Sequence, residues 1–122
     1  MSSKKTVVLG ASPNEYRYSY RATSMLKGRG HEVLPLGKRN GEIAGEEIIT
    51  NWPEKVEKLD TVTLYVGPQN QPPIYDYILN LNPKRIIFNP GTENDELVKM
   101  ANQKGIETEY ACTLVLLSLG SY

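Results

Sequence analysis

A chain of 122 residues is the size of one domain, large enough to bury a core without a disulfide or metal staple. Its 14 Lys and Arg balance 14 Asp and Glu, so bulk charge gives no reason to expect DNA or RNA as partner, although a local basic cluster can still hold one small anionic ligand. With one cysteine and one histidine, an internal disulfide framework, a multi-Cys or multi-His metal site and a His-dependent triad are excluded, and no apolar run approaches the roughly 20 residues of a membrane span.

The predicted elements begin with Lys5 to Leu9. Thr6-Val7-Val8-Leu9 is β-branched and aliphatic throughout, as in a central strand covered on both faces, and Gly10 lets the chain turn sharply at its carboxyl end. Residues 12–18 form a loop with Pro13-Asn14 as turn chemistry. Ser19 is expected to cap a helix with Ala22, Met25 and Leu26 on its inner face, ended by Gly28 and Gly30. His31 to Leu36 reads as the second strand with Pro35 near its end, followed by the basic turn Gly37-Lys38-Arg39-Asn40-Gly41. Glu42 to Ile49 reads as a short strand or extended segment, and Asn51-Trp52-Pro53-Glu54 has the form of a short helix start.

Leu59 to Val66 is the next strand, interior to the sheet. Pro68 to Pro73 is a loop whose last two prolines open a helix with Ile74, Ile78 and Leu81 inside. Lys84 to Phe88 is a strand. Thr92 is expected to cap the following helix, in which Glu93, Asp95 and Glu96 lead and Lys99 and Lys104 trail, as the helix dipole favours, with Gly105 as its stop. Ile106 to Tyr110 is the last short strand, and Thr113 to Leu119 fits helix or strand equally. The alternation predicts one α/β domain over residues 1–122, a three-layer αβα arrangement with a mainly parallel sheet of five to six strands.

In a parallel sheet the turns after the strands share one edge, so Gly10-Ala11-Ser12, Gly37-Lys38-Arg39, Val66-Gly67-Pro68 and Asn89-Pro90-Gly91-Thr92 are expected to meet there. The amides of Ala11 and Ser12 with the Ser12 hydroxyl could bind a phosphate, or Gly10 could serve a tight turn and nothing more. The dinucleotide fingerprint fails, because Gly10-Ala11-Ser12-Pro13-Asn14-Glu15 supplies only the first glycine of G-x-G-x-x-G. At the end of the second strand an acidic residue would hold the ribose of NAD. Gly37, Lys38 and Arg39 stand there instead, which suits a ribose carrying a phosphate, in NADP or in coenzyme A, or else is a solvated turn.

Val8-Leu9-Gly10-Ala11-Ser12-Pro13, Ser19-Tyr20-Arg21, His31 to Leu36 followed by Gly41-Glu42-Ile43 and Gly45, and Asn89 to Leu97, in this order and spacing, resemble the small stand-alone CoA-binding proteins, which are similar to the N-terminal domain of the succinyl-CoA synthetase α subunit. The resemblance covers nearly the whole chain and ends near Cys112. It implies a Rossmann-like fold with coenzyme A or an acyl-CoA across the carboxyl edge of the sheet. By position it implies that Gly10, Ala11 and Ser12 meet phosphate, and that Ser19, Tyr20 and Arg21 support that loop or touch the ligand. Lys38 is then expected at the 3′-phosphate, Gly67 and Pro68 on the floor, and Asn89, Pro90, Gly91 and Thr92 on the far wall. Where members often carry Asn-Pro after the second strand this chain has Gly37-Lys38, and where an Arg is common after the interior strand it has Val66.

No catalytic constellation is visible. His31 is expected to be a solvated structural residue, and Cys112, with no adjoining cation, a buried packing residue. Tyr16, Tyr18 and Tyr20 could shelve an adenine or pack the loop onto the sheet, the latter being preferred. Three readings result: a non-catalytic binder of coenzyme A or acyl-CoA, an NADP-linked or nucleotide-sensing protein, and an accessory interaction protein that has lost the ligand. Polar residues 1–5 carry no signal-peptide core, so a cytoplasmic protein is expected, with no membrane or nucleic-acid partner and with a homo-oligomer left open.

Overall fold

Thr6 to Leu9 is fully buried and forms the start of β1 (Thr6–Ala11) in the computed structural model, which describes residues 3–122. The chain continues through α1 (Tyr18–Gly28), β2 (Val33–Gly37) and an antiparallel ribbon of β3 (Glu42–Ile43) and β4 (Glu46–Glu47). Next come β5 (Thr61–Leu64), two 3-10 turns at Pro68–Asn70 and Pro72–Ile74, and α2 (Tyr75–Asn80). It ends in β6 (Arg85–Phe88), α3 (Asp95–Gln103), β7 (Glu107–Tyr110) and α4 (Thr113–Leu119). The main sheet is parallel throughout, in the order β2-β1-β5-β6-β7.

Alternate strand residues feed two cores, one on each face of the sheet. Val7, Leu9, Val62, Leu64, Ile86 and Phe88 pack with Ile78, Leu79, Leu97 and Ala101 of α2 and α3. Val8 and Ile87 pack on the other face with Leu26 of α1 and Leu117 of α4. The result is the three-layer α/β arrangement read from the sequence. No helix among the described residues is long and apolar enough to cross a membrane.

Pro35 sits in the interior of β2, but its missing N–H faces the outer edge. There Ile49 N–H donates to the Pro35 carbonyl at 2.8 Å and Gly37 N–H donates to the Ile49 carbonyl at 3.1 Å. Four sequence expectations are corrected. α1 begins at Tyr18, with Arg17 in the cap position and no capping side chain; Ser19 lies buried inside the first turn, its carbonyl accepting the Thr23 hydroxyl at 2.8 Å. α3 is capped by Asn94, whose Oδ1 accepts the amides of Glu96 and Leu97, while the Thr92 hydroxyl donates instead to the Asn89 carbonyl at 2.8 Å. No helix forms after Asn51, because polar contacts to β2 and α2 hold residues 50–60 irregular: Trp52 Nε1–H donates to the Gly37 carbonyl and Tyr77 O–H to the Pro53 carbonyl. The segment from Glu42 is a two-strand ribbon turning at Ala44 and Gly45, both at positive φ. The open case, Thr113 to Leu119, is a helix.

Candidate functional site

β1 pairs with β2 on one side and with β5 on the other, so the strand order reverses between β1 and β5. In open α/β sheets the crevice at such a reversal, beyond the carboxyl ends of the strands, is where ligands bind. Here it is a cleft of about 570 Å³. The loop from Gly10 to Asn14, Arg17, and Tyr18 and Ser19 of α1 form one side. Gly37, Lys38, Arg39 and Trp52 form one end; Tyr65 to Gly67 with Asn70, and Pro90 to Thr92, form the other.

Two glycines bring these strand ends together. The β1–β2 register runs Leu9↔Leu36 and then Ala11↔Gly37, leaving Gly10 bulged out of the ladder at φ +99°. A Cβ on Gly10 would lie 3.0 Å from the Tyr65 carbonyl, so both the backbone angle and the closeness of β5 demand glycine. At Gly37 the requirement is packing alone: a Cβ there would lie 2.3 Å from the Ala11 carbonyl oxygen.

The electrostatics of the cleft differ from those of the chain. Arg17, Lys38 and Arg39 line it, and no carboxylate does. Among the described residues the ion pairs lie elsewhere, at Lys5–Glu32, Lys27–Glu46 and Arg85–Glu109, so these three cations are not neutralised by the protein. The first turn of α1 carries no acidic residue and no side-chain cap; the Tyr20 amide donates to the Arg17 carbonyl at 3.1 Å, which leaves the amides of Tyr18 and Ser19 to meet an anion. Ser12 Oγ accepts the Asn14 amide at 3.1 Å, and Asn14 Oδ1 accepts the Tyr16 amide at 3.0 Å. The loop is thereby pinned while the Ser12 O–H remains available as a donor.

The opposite lip is held by buried amide side chains. Gln71 Nε2 donates to the carbonyls of Val66 and Thr92, both at 2.8 Å, and Gln71 Oε1 accepts from Asn94 Nδ2 at 2.8 Å. One side chain thus ties the turn after β5 to the turn after β6. Asn89 Nδ2 donates to Thr63 Oγ1 at 2.7 Å and to the Leu64 carbonyl at 3.0 Å, and its Oδ1 accepts the Thr113 amide at 2.9 Å. Beside this network burial raises the Tyr65 hydroxyl far above its ordinary pKa; that hydroxyl lies near Thr63 and Thr113 but in hydrogen-bonding geometry with neither.

Of the residues named from the sequence, Gly10, Ala11, Ser12, Ser19, Lys38, Gly67, Pro90, Gly91 and Thr92 come together on the cleft. Tyr20, Arg21, Pro68 and Asn89 are not among its lining residues. Tyr20 packs half-buried on the Val8–Leu26 core. Arg21 is exposed, with its guanidinium 5.8 Å from the Tyr18 ring centre. Pro68 opens the 3-10 turn behind Gly67, and Asn89 is consumed by its buried bonds. Tyr16 and Tyr18 do not pack the loop onto the sheet; they are 78% and 66% exposed. Cys112 is half-buried at the start of α4, not a core residue. Sequence reasoning did not single out Arg17, Trp52, Tyr65 and Asn70. Arg17 carried a signal, a cation in the loop after the first strand, whereas Trp52 reaches the cleft only through the irregular course of residues 50–60. Among the described residues no group of three or more His, Cys, Asp or Glu is placed to hold a metal ion.

A doubly wound parallel sheet with a cleft at its reversal point is a Rossmann-like α/β domain. A family model described as CoA binding domain matches residues 4–118, and the chain belongs to that family. Among solved structures, an uncharacterized protein is 52% identical over 100% of both chains, with a TM-score of 0.95. A Thermus thermophilus protein, 23% identical over 98% of this chain and 91% of its own, superposes with a TM-score of 0.84 and shares the fold. A conserved hypothetical protein from Pyrococcus furiosus is 25% identical over 89% of this chain and 92% of its own, with a TM-score of 0.74. No curated protein matches the chain.

Proposed function

We propose that the chain is a cytoplasmic, non-catalytic binding protein for coenzyme A or an acyl-CoA, with the nucleotide seated in the cleft at the β1–β5 reversal. The observation that carries this reading is the charge arrangement: three unneutralised cations and an uncapped helix N-terminus face one cleft, with no carboxylate, in a chain of zero formal charge. The pyrophosphate meets the Ser12 hydroxyl and the first amides of α1. The ribose phosphate meets Lys38 and Arg39, and Arg17 adds charge from the loop. The arm of the ligand runs toward the lip formed by Gly67 and Pro90 to Thr92. Family membership supports the identity of the ligand. Lys38 and Arg39 would also suit the phosphorylated ribose of NADP, which makes that the second reading.

Thermal-shift titration with coenzyme A, acetyl-CoA, NADP and ATP tests the choice. A ligand at 100 times its Kd stabilises the fold by about 2.7 kcal/mol, a readily visible shift. Coenzyme A and acetyl-CoA are expected to raise the Tm at lower concentrations than NADP or ATP. A flat response to all four would favour an accessory protein that has lost its ligand.

A further inference from the structure

The cleft has one aromatic wall that phosphate binding does not use. Trp52 is the single tryptophan of the sequence. Its Nε1–H donates to the Gly37 carbonyl at 3.0 Å. Its ring lies against Tyr77, with centres 5.3 Å apart and planes at 43°, and the Tyr77 hydroxyl is itself anchored to the Pro53 carbonyl at 2.7 Å. The indole is therefore fixed by a hydrogen bond and by a ring that is itself tethered, and Trp52 is among the residues that line the cleft. The residue that accepts its hydrogen bond immediately precedes Lys38. A rigid aromatic residue and a cation thus both line the cleft, the indole bonded to the residue that precedes Lys38.

That pairing suits an aromatic base attached to a phosphorylated sugar. Cations alone would hold any polyphosphate. A fixed indole adds selectivity, because it has little rotamer freedom left to lose and aromatic rings are the side chains on which planar bases pack. A saturated chain would gain from any apolar wall and would have no use for the neighbouring charge. Resting on the coenzyme A reading above, we propose that Trp52 forms the base subsite: the purine of the ligand packs on its indole, and Trp52 sets the preference for adenine-bearing ligands over bare polyphosphates.

Because Trp52 is the only tryptophan, its emission reports this subsite alone. The intact protein is titrated with coenzyme A, adenosine 3′,5′-bisphosphate, ribose 5-phosphate and inorganic pyrophosphate, following Trp52 fluorescence and, separately, calorimetric heat. Both adenine ligands are expected to change the emission on saturation and to bind about tenfold or more tighter than the two probes without a base. Trp52→Ala should lose about tenfold in affinity for the bisphosphate while pyrophosphate affinity stays within about twofold, and Trp52→Phe should recover most of the loss. Calorimetry reads these variants, and circular dichroism checks their fold. If coenzyme A binds with the emission unmoved, or the alanine variant loses both ligands equally, the base subsite is overturned while the cleft reading stands. If none of the four probes binds, both readings fall together.

Discussion

Gly37 lies against Ala11 so closely that a Cβ on residue 37 would come within 2.3 Å of the Ala11 carbonyl oxygen. The contact joins the carboxyl ends of β2 and β1, where the chain passes into the Lys38 turn. Gly37→Ala must push the two strand ends apart and should cost about 1–3 kcal/mol, read as a lower urea midpoint with little change in slope. Gly28→Ala is the control, since nothing lies within 4 Å of a Cβ there, and its stability should match or slightly exceed the parent's.

Gln71 makes three bonds that no other side chain duplicates. Gln71→Leu strands the Val66 and Thr92 carbonyls and one Asn94 donor, so a loss of roughly 2–4 kcal/mol is expected. Gln71→Glu should be no better at neutral pH, because a carboxylate would face the same two carbonyls. Denaturant titration of both variants checks the cost, and their coenzyme A affinity shows whether the two turns of this lip must be tied.

His31 supplies a pH dependence. Its Nδ1 accepts the Lys4 amide at 2.9 Å, so that nitrogen carries no proton in the folded state. Burial, followed by the positive charges of Lys4 and Arg85, lowers its pKa below the usual 6.5. The unfolded chain therefore binds the proton first. The stabilisation is complete above pH 6.5 and is lost as pH falls from there through the lowered folded value. Urea midpoints measured in steps through this window should fall more steeply for the parent than for His31→Gln. Parallel curves would mean the histidine contributes nothing.

The layers of this fold were legible because its strands are short apolar runs and its helices carry amphipathic spacing; Thr6 to Leu9 followed by Gly10 needed no tertiary information. The cleft was legible at the strand ends, since a parallel sheet must bring Ser12, Lys38, Gly67 and Thr92 to one edge. What sequence could not show depends on contacts between distant segments. Asn94 and Thr92 are both capping residues by type, and only the turn geometry hands the hydroxyl of one to Asn89 and the first helical amides to the other. Trp52 was hidden in the form of a helix start, because its bond to Gly37 is made across 15 positions. Gln71 reads as loop polarity in the sequence, because its two carbonyl acceptors lie in the separate turns that together form one lip of the cleft.

Salt should weaken the binding. The cations at 17, 38 and 39 are exposed, so their attraction for an anionic ligand is screened over about 10 Å at 0.1 M salt. Raising salt from 0.02 to 0.5 M should lower coenzyme A affinity more in the parent than in Arg39→Ala, as followed by calorimetry. A salt-independent Kd would place the ligand away from these residues.

Calorimetric titration of the parent and Lys38→Glu with coenzyme A and with dephospho-coenzyme A tests the cationic cleft most directly. The parent is expected to bind coenzyme A saturably, one per chain, and more tightly than the dephospho form. The variant should bind coenzyme A about tenfold or more weakly and lose most of the difference between the two ligands. No saturable heat with the parent, or a variant indistinguishable from it, would contradict the account.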